Sequence, residues 1–184
     1  ARDILVHGTG DHLAWMGLWE GNRYFFAGDA GYVAYRVSHN VAVTVGSPVV
    51  SGSNQAEVAG EFEQFAASQG GRVAWYSVPE DFARPGFNTV HVAEESVLYT
   101  DNLEFKGKKF QNIRTARNRA GKEGVRAVWT TWAECSLEMR EKIAALSEQW
   151  VADKALPEMG FTLGSLEELR DLDTKLLLAV DDSG

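Results

Sequence analysis

The spacing of hydrophobic positions changes twice along the chain. Three short runs rich in β-branched and aromatic residues occupy 23–27, 32–37 and 41–46, parted by Gly28 to Gly31 and then by Ser38, His39 and Asn40. Runs of this length with such breaks predict a three-stranded antiparallel meander. Gly46, Ser47 and Pro48 close it, because proline has no N–H for a ladder. Beyond the polar loop at 51–54 the period lengthens: Val58, Phe62, Phe65 and Ala66 recur at helical spacing, and Gly70 and Gly71 end the helix. A strand over 72–78 follows, and 88–100 reads as extended, broken at Glu94 and Glu95. Residues 1–100 thus form one unit of meander, helix and two further β segments.

A second unit covers residues 101–184. A helix over 108–120 is stopped by Gly121 and Gly124, and 125–132 is rich in strand formers. Ser136 is placed to cap a long helix carrying Leu137, Met139, Ile143, Leu146 and Trp150. Ser165 and Glu168 have capping-box spacing, 175–180 is an apolar strand, and Asp181 to Gly184 has hairpin-turn chemistry. A turn with no returning strand would leave an exposed edge, so the second unit is expected to be cut short. The rhythm is that of an α/β (α+β) chain.

Composition narrows the classes. Six tryptophans and nine phenylalanines supply apolar area for a core. No stretch reaches the roughly 20 apolar residues that cross a bilayer. Cys135 is the single cysteine, so no disulfide forms within the chain, and a reducing compartment is the expectation. The net charge of −8 argues against a general nucleic-acid binder, but it is unevenly spread. Residues 106–126 hold eight basic residues against one acid, Glu123, a local +7 that leaves −15 for the remainder. Such a localised field steers anionic partners.

That segment carries the most chemistry. On a helix, Phe110, Ile113, Ala116 and Ala120 gather on one side, while Lys108, Asn112 and Arg119 form a stripe opposite, flanked by Arg114, Gln111 and Asn118. Guanidinium groups and carboxamides together suit phosphate oxygens. A charge run is ordinarily a solvated face, but here nearly all charges share one sign, so pairing along the helix does not account for them. Lys106, Lys108, Lys109, Asn112, Arg114, Arg117, Asn118 and Arg119 are the candidate ligands of a polyanion. This signal alone does not separate tRNA from lipid head groups or a phosphorylated cofactor. Elsewhere, His7 and His12 beside Asp11 lack metal-site spacing. No nucleophile elbow, Walker loop or dinucleotide fingerprint is present in the sequence. Trp129 and Trp132 are expected in core or domain contacts in preference to a base-stacking platform.

Several segments together resemble one family. These are Phe25 and Phe26; Val33, Ala34, Tyr35, Arg36 and Val37; Val43 through Pro48; Ala93, Glu94 and Glu95; the basic helix; and Lys154 followed by Gly160, Phe161, Thr162, Leu163 and Gly164. In this order they resemble the phosphatidylglycerol lysyltransferase C-terminal region. The chain departs from that pattern at Ser47, where the family usually has Asp. The resemblance implies tandem acetyltransferase-like (GNAT) folds, the second one truncated here, and transfer of an aminoacyl group, lysyl by expectation, from aminoacyl-tRNA to a lipid such as phosphatidylglycerol. It implies the cytosolic face of a bacterial membrane, phospholipid and charged tRNA as partners, and no metal or other cofactor. It also implies catalytic residues downstream of Gly184, so none is named. A related peptidoglycan ligase that uses aminoacyl-tRNA, and a non-catalytic GNAT-like tRNA- or lipid-binding module, are the competing readings. A homodimer through the 175–180 edge is a further expectation. Within the basic helix, Lys108, Arg114 and Arg119 should be accessible and unpaired with acids, and Ile113 should be buried.

Overall fold

The fold was analysed in a computed structural model, which describes residues 1–52, 54–94, 96–101, 103–153, 161 and 164–182. Glu95, Lys154, Gly160, Thr162, Leu163 and Gly184, named above for the resemblance and the closing turn, lie outside these residues. The chain is mixed α/β and divides into two compact units, Ala1–Ala93 and Glu94–Gly184.

In the first unit β1 (Arg23–Phe26), β2 (Gly31–Ser38) and β3 (Val41–Thr44) form the expected antiparallel meander. His39 and Asn40 both adopt positive φ, 48° and 62°, between the paired Ser38 and Val41. This two-residue turn matches the right-handed twist of the strands it joins. The short β4 (Val49–Val50) pairs with the start of β2, an element the sequence reading missed. A Cβ on Gly31 would lie 2.5 Å from the Val49 carbonyl oxygen, so only glycine lets β4 approach there. The helix α2 (Gln55–Ser68) starts at Asn54, whose side chain accepts from the Ala56 N–H at 2.9 Å. It crosses over to β5 (Arg72–Ala74), which lies parallel to β3 and gives the order β1-β2-β3-β5. The strand expected over 72–78 is therefore shorter, and the backbone departs from the ladder as Trp75 turns toward the helix.

The core lies between α2 and the sheet. Phe62 is fully buried, with ring centroids of Tyr35, Trp75 and Phe25 at 5.1, 5.6 and 5.7 Å. Glu63, the next residue, accepts from Trp75 Nε1 at 3.0 Å and from Arg84 Nε and Nη2 at 2.8 and 3.0 Å. The hydrogen bonds to Glu63 raise the Arg84 pKa against the opposing effect of burial. This fork ties the chain after β5 back onto α2.

The first 20 residues add a part of the core that their mixed composition concealed. Helix α1 (Arg2–His7) buries Leu5, and Leu13 and Ala14 are buried after it. Asp11 accepts from the Leu13 N–H at 2.9 Å, the Ser47 N–H at 2.6 Å and the Ser47 hydroxyl at 2.8 Å. Ser47, the position that departs from the family pattern, is thus matched to Asp11. A carboxylate there would meet a carboxylate.

The first regular element of the second unit is a 3-10 turn at Lys108–Phe110 running into α3 (Gln111–Lys122). The helix stops at Gly124, φ 75°, with the Val125 N–H bonded to the Ala120 carbonyl and the Gly124 N–H to Gly121. This is a Schellman end, so Gly121 is inside the helix and only Gly124 terminates it. Strand β6 (Arg126–Thr130) pairs antiparallel with β7 (Leu176–Val180). Between them α4 (Leu137–Asp153) is capped by Ser136, whose hydroxyl accepts from the Met139 N–H at 3.2 Å. The Ser165 N–H and hydroxyl both donate to the Glu168 carboxylate, while the Ser165 hydroxyl accepts from the Glu167 N–H, so half of the expected capping box forms and only a single 3-10 turn follows (Glu168–Arg170).

Two expectations fail here. The segment over 88–100 pairs with no strand among the described residues, and Tyr99 is 82% exposed. Trp129, expected in a core or domain contact, is 70% exposed on β6 opposite Leu177. A two-stranded sheet has too little area to cover both of its faces.

Phe62→Ala is expected to lower stability by about 3–5 kcal/mol, read as a shift of the urea midpoint. Tyr32 gives the contrasting case: it is 1% exposed, and its hydroxyl has no hydrogen-bond partner among the described residues. Burial, then the nearby Tyr24 and Asp11, push its pKa above the ordinary tyrosine value of 10. Tyr32→Phe should therefore be neutral or stabilising. Because the folded pKa is raised, this group's contribution holds below about pH 10 and declines as pH rises toward the folded value. Titration of tyrosine absorbance should show one residue ionising only with unfolding in the wild type and not in the variant.

Candidate polyanion-binding segment

The cation-rich segment folds as a loop, a tight turn and a helix, each held by identifiable contacts. Phe105 has φ 46° and Gly107 has φ 83°, ψ 174°. Between them Lys106 projects from a backbone that doubles back toward the helix. The rings of Phe105 and Phe110 meet edge to face at 5.6 Å, and the Phe110 N–H donates to the Gly107 carbonyl at 3.3 Å. Arg114 reaches back from α3, its Nη1 donating to the carbonyls of Phe105 at 2.7 Å and Gly107 at 2.8 Å.

The candidate ligands therefore differ in availability. Lys108 and Arg117 are exposed and have no ion pair among the described residues. Lys109 is exposed, its Nζ 5.4 Å from the centroid of the Phe110 ring. Asn112 and Asn118 are exposed on α3. Lys106 pairs with Glu104 at 2.7 Å, and both side chains are largely in solvent. Arg119 does not stand free as expected: its Nε bonds Glu123 one turn on, at 2.8 Å. Arg114 has no acidic partner among the described residues, but it is half-buried and bonded to main chain. Exposed pairs such as Arg119–Glu123 are weak and exchange readily for a stronger anion. Arg114 has more to lose, since two backbone carbonyls would lose their donor.

Ile113 is also a correction. It is 47% exposed, and α3 has no buried residue among those described. The apolar side of the helix exists in sequence, but the described part of this unit does not cover it. The 2–5 kcal/mol loss of a buried isoleucine truncation is therefore not expected for Ile113→Ala.

No first-turn residue of α3 is acidic, so the field at its start stays positive. Among the described residues no group of three or more His, Cys, Asp or Glu could hold a metal ion. A shallow cleft lies elsewhere in this unit, between the end of α4 at Ser147 and Val151 and the turn at Ser165 to Glu167. Cys135 is buried, with Sγ 3.9 Å from the Thr130 hydroxyl.

The family model described as "Phosphatidylglycerol lysyltransferase, C-terminal" matches residues 1–184. The chain belongs to that family. An uncharacterized protein of Corynebacterium glutamicum is 57% identical over 99% of this chain, which covers 24% of that protein. The lysylphosphatidylglycerol biosynthesis bifunctional protein LysX of Rhodococcus jostii is 22% identical over 98% of the chain, covering 17% of that protein. The fold is that of the solved L-PGS from Bacillus licheniformis, with a TM-score of 0.84 at 22% identity. This chain is covered in full by that match and takes up 59% of the solved chain. The C-terminal domain of an Agrobacterium fabrum protein provisionally assigned as a lysylphosphatidylglycerol synthetase has a TM-score of 0.81 at 18% identity, with 99% of this chain and 58% of that one covered. The chain thus spans about a quarter or less of the curated relatives and well over half of the solved chains. Each protein of the phosphatidylglycerol lysyltransferase C-terminal family named here has parts that this chain does not include.

The geometry generates one test of the loop itself. The φ, ψ pair of Gly107 lies in a region essentially restricted to glycine. Gly107→Ala should cost on the order of 1–3 kcal/mol through backbone strain, although no atom crowds the added methyl. The check is the denaturation midpoint, with Gly121→Ala as the helix-interior control that should be neutral or stabilising.

Proposed function

We propose that this chain is part of the catalytic region of a lipid aminoacyltransferase, which moves a lysyl group from charged tRNA to a hydroxyl of phosphatidylglycerol. The observation that carries this reading is the family match over residues 1–184. The cation-rich segment supports it independently, because both tRNA and phospholipid are phosphate polyanions. Two GNAT-like units, divided near residue 100, are the proposed architecture. The cytosolic membrane face is the proposed place of action, where lipid and charged tRNA can meet. No helix among the described residues is long and apolar enough to cross a membrane, so attachment would come through other parts of the protein or through the lipid surface.

The chemistry asks little of a protein nucleophile. An aminoacyl ester is already activated, so the lipid hydroxyl can attack its carbonyl, form the new ester and release the tRNA 3′ end as an alcohol. The enzyme's contributions are to hold hydroxyl and carbonyl in register and to stabilise the oxyanion that develops. The residues of this chain are assigned to substrate binding and none to the bond-making step. Lys108, Lys109, Arg117, Asn112 and Asn118 are the ligands offered directly. Lys106 and Arg119 become available when an anion displaces their exposed acidic partners.

The decisive assay uses the full-length protein, tRNA charged with labelled lysine, and vesicles of phosphatidylglycerol. Label should enter the lipid fraction. With a peptidoglycan precursor supplied in a parallel reaction, label there instead would favour the related ligase, and binding without transfer would favour a non-catalytic module. Lys108→Ala combined with Arg117→Ala should weaken tRNA binding and flatten its salt dependence by about one unit for each charge removed. Binding, salt slope and transfer all unchanged in the folded variant would make the helix a solvated surface only.

A further inference from the structure

Arg114 is the basic residue whose geometry differs from the rest of the segment. One nitrogen, Nη1, donates to two carbonyls, those of Phe105 and Gly107, at 2.7 and 2.8 Å. These two carbonyls bracket Lys106. They belong to residues with φ of 46° and 83°, and the first is a phenylalanine. A non-glycine residue holds such a backbone only when its surroundings over-determine it. Charge-assisted bonds to two carbonyls, with the Phe105–Phe110 ring contact, supply that determination. Held through Nη1, the half-buried guanidinium keeps only its Nε–Nη2 edge for any other acceptor.

The same device occurs a second time in the chain, where no basic cluster exists. Arg140 is the fourth residue of α4, as Arg114 is of α3. It too reaches back to two carbonyls, though through its other edge, Nε donating to the Trp132 carbonyl and Nη2 to the Ala133 carbonyl, both at 2.9 Å. Glu138 and Glu141 flank it, so no anion is expected at that helix start. An arginine at this position therefore orders the preceding backbone without a phosphate to bind.

We infer that Arg114 is a positioning residue: it holds the 105–107 backbone in the shape that presents Lys106, Lys108 and Lys109 to a polyanion, and acts on anion binding through that backbone. The inference rests on the polyanion reading above, and the following experiment separates the two. In the full-length protein without nucleic acid, Arg114→Gln should speed amide hydrogen exchange at Phe110 and Gln111 by about tenfold. A residue that only binds phosphate would leave exchange in the free protein unchanged. Arg114→Lys keeps the charge but reaches one bond less far, so it should not restore protection.

Binding of unfractionated tRNA is the second readout. Arg114→Gln should weaken it in the wild-type background. Once Lys106, Lys108 and Lys109 are all changed to Gln, the added Arg114→Gln should alter affinity by less than about twofold, because nothing remains for the clamp to present. Unchanged exchange in Arg114→Gln, full rescue by Arg114→Lys, or an undiminished binding effect in the triple-Gln background each overturn the positioning role. If the triple-Gln change leaves tRNA binding intact, the polyanion reading fails, and the presenting role fails with it. Faster exchange in Arg114→Gln alongside that result would mark a clamp that serves the fold alone. Circular dichroism and the thermal midpoint establish that each variant is folded.

Discussion

In the first unit the structure depends on the burial of the Phe62 ring. Antiparallel strands can be joined by two residues, but β3 and β5 run parallel, and the chain must cross the sheet to connect them. The crossover is α2, and it is fixed to the sheet where Phe62 meets Phe25, Tyr35 and Trp75. Glu63 then uses the neighbouring position to bind Trp75 Nε1 and Arg84. One residue supplies the apolar contact and the next anchors the departing chain. Pairing of β5, the end of the helix and the path to residue 87 all follow from that arrangement.

Outside regular structure the recurring solution is a charged side chain that satisfies loop backbone. Asp11 accepts two N–H groups and the Ser47 hydroxyl. Arg84 binds Glu63 and the Ala56 carbonyl. Arg114 and Arg140 donate to carbonyls ahead of their helices. Main-chain polar groups need partners whether or not a ladder or helix provides them. A long side chain on a rigid element can supply them at a distance. The consequence for function is that formal charge overstates what a surface offers to a ligand. Arg114 is the clear instance in the basic segment, and Arg119 with Glu123 is a milder one.

The electrostatic design of the chain is a local exception to its overall sign. An acidic protein repels nucleic acid and anionic lipid over most of its surface. Under the proposed function, a segment of +7 confined to residues 106–126 would draw them to one place. For the proposed transfer between two bulky polyanions, confinement would matter as much as affinity, since a uniformly basic surface would hold tRNA in unproductive poses.

The sequence by itself determined the elements whose signals are local. The meander over residues 23–46, the amphipathic α2, the cap at Ser136, and the helical basic segment all follow from residue period and turn chemistry. So did the location of the cations. Tertiary structure alone decided what depends on partners distant along the chain. It turned Arg114 toward two carbonyls, matched Ser47 to Asp11 across 36 residues, added β4, and made Leu5 and Leu13 core. It also left Ile113, Trp129 and the 88–100 segment uncovered in spite of their apolar patterns. The physical reason is that an apolar period states which side of an element can be buried, and a charge states which interactions it can make. Whether a surface arrives to bury the one, or a carbonyl to engage the other, is settled only by the packing of other parts of the molecule.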